Sequence, residues 1–347
     1  MKKRNYGIDL LRIISMFLIC IFHVMNKCGL PAQSGTITKW HIPFFLQVFT
    51  IGAVNIYAII SGYVGLESKF KIKNIFKLYF IVTFYSFFID LLFLLFDNTG
   101  RAEPLDLLKA LLPFAFNYYW YYTAYFCMYF FTPFINKLIL SLNNRETKQL
   151  VLLILVFFTI IPTIFKTDLY NEVEGYTVIW ITCAYILGAC AKKLNLVKKI
   201  SKKNLLLIYF SLSIASYIFL IATNFLFGKG DSRFISYISP LTTIATLAFV
   251  LFFAKLEIHN KKLKKGIALF SASAFSVYLI HTHPIIWRTG ILWRVTSPVV
   301  SFPKIWIFPG IIICALAIYF TCTFIDFIRA AIFSFISKLF TNKNMIK

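Results

Sequence analysis

Arg12 and His23 stand inside the first long apolar stretch of the chain, Tyr6 to Met25. Their spacing of eleven residues comes within about 20° of three full helical turns and sets the two side chains roughly 16 Å apart along one helix face. A fixed cation would then sit near one end of a membrane helix and a titratable imidazole near the other. Ionisable groups are costly in hydrocarbon and face a bundle interior or a water-filled cavity, so their default reading is a functional site. The bland alternative pairs Arg12 with Asp9 three residues earlier, lets its head snorkel to the headgroups, and makes His23 an interface histidine.

Other polar residues interrupt apolar runs further along. His281 and His283 close Tyr278-Leu-Ile-His-Thr-His-Pro284. Being two apart on a helix they point to nearly opposite sides, so at most one can join His23; Tyr278 and His281 share a face, which favours His281. The aromatic run Asn117-Tyr-Tyr-Trp-Tyr-Tyr-Thr123 fits an interfacial belt, and such rings also stack on the apolar faces of sugars. Asp90 and Asp326 are further acids within apolar runs, each able to orient a histidine or neutralise an arginine. Asn55 and Ser61-Gly-Tyr-Val-Gly65 put small and polar residues where helices approach closely. The seven cysteines show no C-x-x-C spacing, so they read as packing residues and no metal site is expected.

The elements that must hold these groups are membrane helices. Hydrophobic residues make up 59% of the 347 and aromatics 19%, with a mean hydropathy of +0.77, far beyond what a soluble domain tolerates. The formal charge of +23 does not point to nucleic acid, because no polar domain gathers the basic residues on one face. Apolar segments near bilayer length recur ten times, at 8–26, 45–66, 74–96, 118–140, 148–165, 176–193, 204–227, 236–256, 266–286 and 306–333. Alternate connections then carry 25 basic residues on the side of the N-terminus and 10 on the other, with Arg12 left inside. The positive-inside rule places both termini in the cytoplasm. The expected fold is thus an all-α integral membrane protein of about ten transmembrane helices, a single transmembrane domain over 1–347. No secretory signal is expected, since Asp9 and Arg12 break the first apolar run.

In this setting Gly7-Ile-Asp-Leu-Leu-Arg12 with His23 resembles the R-x10-H signature of the membrane acyltransferase type 3 family. Asn55-Ile-Tyr-Ala-Ile-Ile-Ser-Gly-Tyr63, Trp120-Tyr-Tyr-Thr-Ala-Tyr125, Thr132-Pro-Phe-Ile-Asn136, Tyr185-Ile-Leu-Gly188 and Tyr278-Leu-Ile-His281 follow in the family's order. The resemblance implies an O-acyltransferase of the plasma membrane. Its donor would be cytoplasmic acyl-CoA, here acetyl-CoA. The acceptor would be a hydroxyl of a cell-surface polysaccharide or its lipid-linked oligosaccharide precursor, with membrane lipids as surroundings and no nucleic acid. It makes His23 the base or acyl carrier, with Arg12, His281 and Tyr278 as further catalytic candidates. Arg12, Lys69, Lys71 and Lys73 would hold the donor's phosphates. The loop Lys69-Phe-Lys-Ile-Lys73 carries lysines where many relatives have an arginine pair. No esterase-like domain follows the last apolar segment, so the membrane domain or a separate partner is expected to complete the transfer. The rival reading of the same residues is a multi-pass transporter or flippase of glycan or organic acid; a glycan polymerase is a weaker third, for want of a large loop.

Overall fold

The computed structural model describes residues 4–29, 41–97, 100–169 and 173–343; Lys2, Lys3, Lys39 and Lys347 of the charge count lie outside them. The described elements are helices without a strand among them. In chain order they are α1 (Tyr6–Lys27), α2 (His41–Thr50), α3 (Ala53–Gly65), α4 (Ile72–Phe96), α5 (Pro104–Leu111), α6 (Trp120–Ser141), α7 (Asn144–Leu155) and α8 (Ile161–Phe165). There follow α9 (Val178–Lys193), α10 (Leu196–Lys199), α11 (Lys202–Phe227), α12 (Pro240–Ala254), α13 (Lys261–His281), α14 (Pro284–Arg288), α15 (Ile291–Thr296) and α16 (Lys304–Lys343). The protein is an all-α membrane protein.

Among the described residues seven stretches are long and apolar enough to cross a bilayer: Tyr6–Lys27, Pro43–Gly65, Ile72–Phe96, Asn144–Phe165, Lys202–Phe227, Lys261–His281 and Lys304–Phe335. Helices also occupy the other three expected segments. Of these α6 is diluted by tyrosines, and α9 and α12, with 16 and 15 residues, extend only about 24 and 22 Å, short of the roughly 30 Å hydrocarbon layer. The second segment is broken by a turn at Ile51–Gly52, and the fifth runs from α7 through a π-helical turn, Val156–Ile160, into α8. The last is one 40-residue helix that continues past the end of the apolar segment.

Helix α1 is the hub, packed against α2, α3, α12, α13 and α16. The Asn5 side chain caps it by accepting from the Ile8 amide at 3.1 Å, and its Gly7 lies against the Phe253 carbonyl of α12. The closest seam joins α3 and α9, where Gly62 rests on the Tyr185 carbonyl and Gly188 on the Ile59 carbonyl. Buried polar groups lock that seam: Trp180 Nε1 donates across it to Asn55 Oδ1 at 2.9 Å, and Asn136 of α6 bridges the two helices, accepting from Tyr185 at 2.9 Å and donating to the Gly65 carbonyl at 3.1 Å. In an apolar interior such satisfied groups specify one register, because any slip leaves them unpaired.

Candidate active site

One face of α1 carries Arg12, Met16, Ile19 and His23, spaced by four, three and four residues. Met16, Ile19 and His23 line a cavity of about 320 Å³, shared with Tyr57 of α3, Tyr121 of α6, Tyr278 of α13 and Trp287 of α14. That volume lies in the range of small-molecule sites.

His281 ends α13 and points at α1. Its Nδ1 lies 2.5 Å from the Val277 carbonyl oxygen, and its Nε2 lies 2.9 Å from His23 Nδ1. A carbonyl only accepts, so His281 Nδ1 carries the proton. The ring is 2% exposed, and a neutral imidazole has one donor and one acceptor nitrogen. Its Nε2 is therefore an acceptor, and His23 Nδ1 is the donor to it. The remaining nitrogen of His23, Nε2, is left with its lone pair on the ring that lines the cavity. Trp287 braces the pair: its indole stands at 86° to the His23 ring with centroids 5.4 Å apart, and its Nε1 donates to the His281 backbone carbonyl at 2.9 Å. Lys27 sits over the Trp287 ring at 3.8 Å.

Tyr278 lines the same cavity, with its ring 6.4 Å from that of Tyr121. His283 turns away. Its Nδ1 accepts from the Ile285 amide at 3.2 Å, capping α14, and its Nε2 donates to the Ser86 carbonyl at 3.2 Å. Asp90 serves this second cluster, accepting from Tyr118 at 2.5 Å and lying 3.9 Å from His283, and it does not orient His23. Asp326 pairs with Arg329 at 2.8 Å and Tyr85 at 2.6 Å.

Arg12 opens on a different cavity, of about 210 Å³, lined also by Ser61, Ser68, Lys69, Asn74 and Tyr125. Its guanidinium bonds Asp9 at 2.6 Å, as the bland sequence reading had it, and Arg4 holds the other Asp9 oxygen at 2.5 Å. It nonetheless remains part of the wall. Of the three loop lysines Lys69 joins it; Lys71, at the N-cap of α4, and Lys73, in its first turn, are exposed and do not line the cavity. The two cavities meet back to back at a layer of tyrosines. The Tyr57 hydroxyl donates to the Arg12 carbonyl at 2.7 Å, and Tyr121 of one cavity stacks on Tyr125 of the other, centroids 6.2 Å apart. Among the described residues no group of three or more His, Cys, Asp or Glu side chains is placed to hold a metal ion.

Trp287, Tyr57 and Lys27 were not singled out by sequence. Tyr57 lies within the Asn55–Tyr63 motif, which was the available signal; nothing local marks Trp287 or the Val277 carbonyl.

A helical membrane bundle with His23, backed by His281, on one cavity and Arg12 with Lys69 on another is compatible with a membrane transferase. Residues 5–324 match the family model of the acyltransferase domain Acyl_transf_3. The chain belongs to that family and is an acyltransferase. No curated protein and no solved structure matches it.

Proposed function

We propose that this acyltransferase moves an acetyl group from cytoplasmic acetyl-CoA to a hydroxyl of a cell-surface polysaccharide or its lipid-linked precursor, at the plasma membrane. In this reading residues 1–347 form one ten-span domain with both termini inside. The observation that carries it is the hydrogen-bonded chain from the Val277 carbonyl through His281 to His23, which leaves the base nitrogen on a cavity wall.

His23 Nε2 takes the proton of the acceptor hydroxyl as its oxygen attacks the thioester carbonyl. The new C–O bond forms, the C–S bond breaks, and the coenzyme thiolate leaves with the proton held by His23. His281 is the positioning partner, because its Nε2 lone pair stabilises the imidazolium formed midway. Tyr278 helps shape the cavity at the reacting centre. Arg12 and Lys69 face the donor's phosphates, a polyanion suited to paired cations; Lys71 and Lys73 add to the field at longer range.

Two measurements test this. Mass spectrometry of the surface glycan should show an acetyl increment with the wild-type gene and none with His23→Ala, at equal membrane abundance. Purified protein should also turn over acetyl-CoA. A protein that moves glycan across vesicles without consuming acetyl-CoA would instead be a transporter.

A further inference from the structure

The cavity of His23 has a second wall that the transfer chemistry leaves unused. Trp120, Tyr176 and Tyr237 line it, and their rings form one cluster. Trp120 and Tyr237 lie within 24° of parallel with centroids 6.1 Å apart. Tyr176 leans on both, at 4.6 Å from Trp120 and 5.0 Å from Tyr237.

The cluster is held from behind. The Tyr237 carbonyl accepts from Asn55 Nδ2 at 2.7 Å, and Asn55 is itself fixed by Trp180. Gly175, with φ of +101°, lets the neighbouring segment lie so close that a Cβ there would come 2.7 Å from Tyr237 Cβ. The outer ring, Tyr176, is 42% exposed, Trp120 is half-buried and Tyr237 behind them is buried, so the open aromatic surface rests on a rigid support. An interfacial belt spreads its rings around a bundle at the headgroup level; here three rings from α6 and two separate loops converge on one cavity. Beside them Tyr121 lines the same cavity, and its hydroxyl, buried just behind the surface, has no hydrogen-bond partner. A buried hydroxyl without a partner is costly, and a ligand hydroxyl would satisfy it.

A flat aromatic face next to unsatisfied polar groups matches one ligand chemistry closely: a pyranose, whose ring carbons present C–H bonds to the aromatic face and whose rim presents hydroxyls. We infer that Trp120, Tyr176 and Tyr237 form the acceptor subsite, a platform that seats a pyranose ring in the His23 cavity with the Tyr121 hydroxyl reading one of its oxygens. This rests on the proposed transfer to a glycan and assigns where the acceptor binds.

The test uses full-length protein in detergent with methyl β-D-glucopyranoside and N,N′-diacetylchitobiose as probes, and sorbitol as a polyol without a ring. Saturation-transfer NMR should show contact with the sugars' ring protons and none with sorbitol. Tyr176→Leu, at an exposed position, should weaken the sugar contact and raise the acceptor KM about three- to tenfold, with the donor KM changed less than twofold. Trp120→Phe, which keeps a ring, should lie between Trp120→Leu and wild type. Equal acceptor KM in Tyr176→Leu and wild type, or a sorbitol signal as strong as the sugars', overturns the platform. Sugar contact in a protein that never consumes acetyl-CoA would instead leave the platform standing and remove the transferase reading.

Discussion

Replacing His281 separates a histidine that positions His23 from one that merely packs. In the wild type His23 Nδ1 donates across 2.9 Å to His281 Nε2, and His281 is tied at 2.5 Å to the Val277 carbonyl. When His23 takes a proton this bond acquires a charged donor, and a hydrogen bond to a charged group contributes about 1.5–3 kcal/mol. At about 1.36 kcal/mol per factor of ten, His281→Phe should lower kcat by about 10- to 150-fold. The acetyl-CoA KM should stay near wild type, since in the proposed reading the donor's phosphates meet the Arg12 cavity. His281→Gln can still offer an amide oxygen to His23 Nδ1 and should recover part of the loss, which a purely steric role would not produce. The assay is single-turnover acetyl transfer by protein in lipid nanodiscs, with thermal unfolding run in parallel. A His281→Phe protein within threefold of wild type would sink the tautomer argument and leave His23 to act alone.

Three further outcomes follow from the geometry. Lys69→Gln should raise the acetyl-CoA KM about two- to fivefold, the range of one partly exposed charge interaction, and added salt should shrink the difference; the Lys71→Gln, Lys73→Gln double variant should do less, because neither lysine lines the cavity of Arg12. Gly188→Ala would drive a methyl group into the Ile59 carbonyl and should lower the thermal midpoint sharply, at a cost of at least about 1–3 kcal/mol, whereas Gly266→Ala, with nothing near its added carbon, should be tolerated. At the loop before α12, partial burial alone would raise the Asp231 carboxyl, but hydrogen bonds from Arg233 and Lys166 outweigh it and hold the group well below the ordinary carboxylate range. Its stabilisation is therefore full above the unfolded value of about 3.9 and fades as pH falls below that value. The gap in thermal midpoint between wild type and Asp231→Asn should be open at pH 7 and narrow between about pH 4 and 3.

Much of the frame was readable because hydrophobic period and length are local properties. Each of the ten apolar segments carries a helix, and Arg12 and His23 do share a face, since the helical repeat alone decides that. The spacing of His281 from His283 likewise decided that they would part. What composition cannot carry is the packing of one helix on another. Nothing local says that Asp90 belongs to Tyr118 and His283, or that the wall between Arg12 and His23 is built from Tyr57 and Tyr121. Lys71 and Lys73 were grouped with Lys69 by proximity in sequence, but neither lines the cavity that Lys69 joins. The turn at Ile51–Gly52 and the π-helical stretch Val156–Ile160 left no mark in hydropathy, because they alter backbone geometry without altering polarity.

The tyrosine layer between the two cavities has a bioenergetic consequence. In the proposed reading an acyl arm coming from the Arg12 side would have to pass Tyr57 and the Tyr121–Tyr125 stack to reach His23, and the Tyr57 hydroxyl is bonded to the Arg12 carbonyl. In the structure described Tyr57 and Tyr121 line one cavity and Arg12 and Tyr125 the other. In the proposed reading, a tyrosine layer that stays shut between turnovers would let acyl groups pass while denying protons a standing water path.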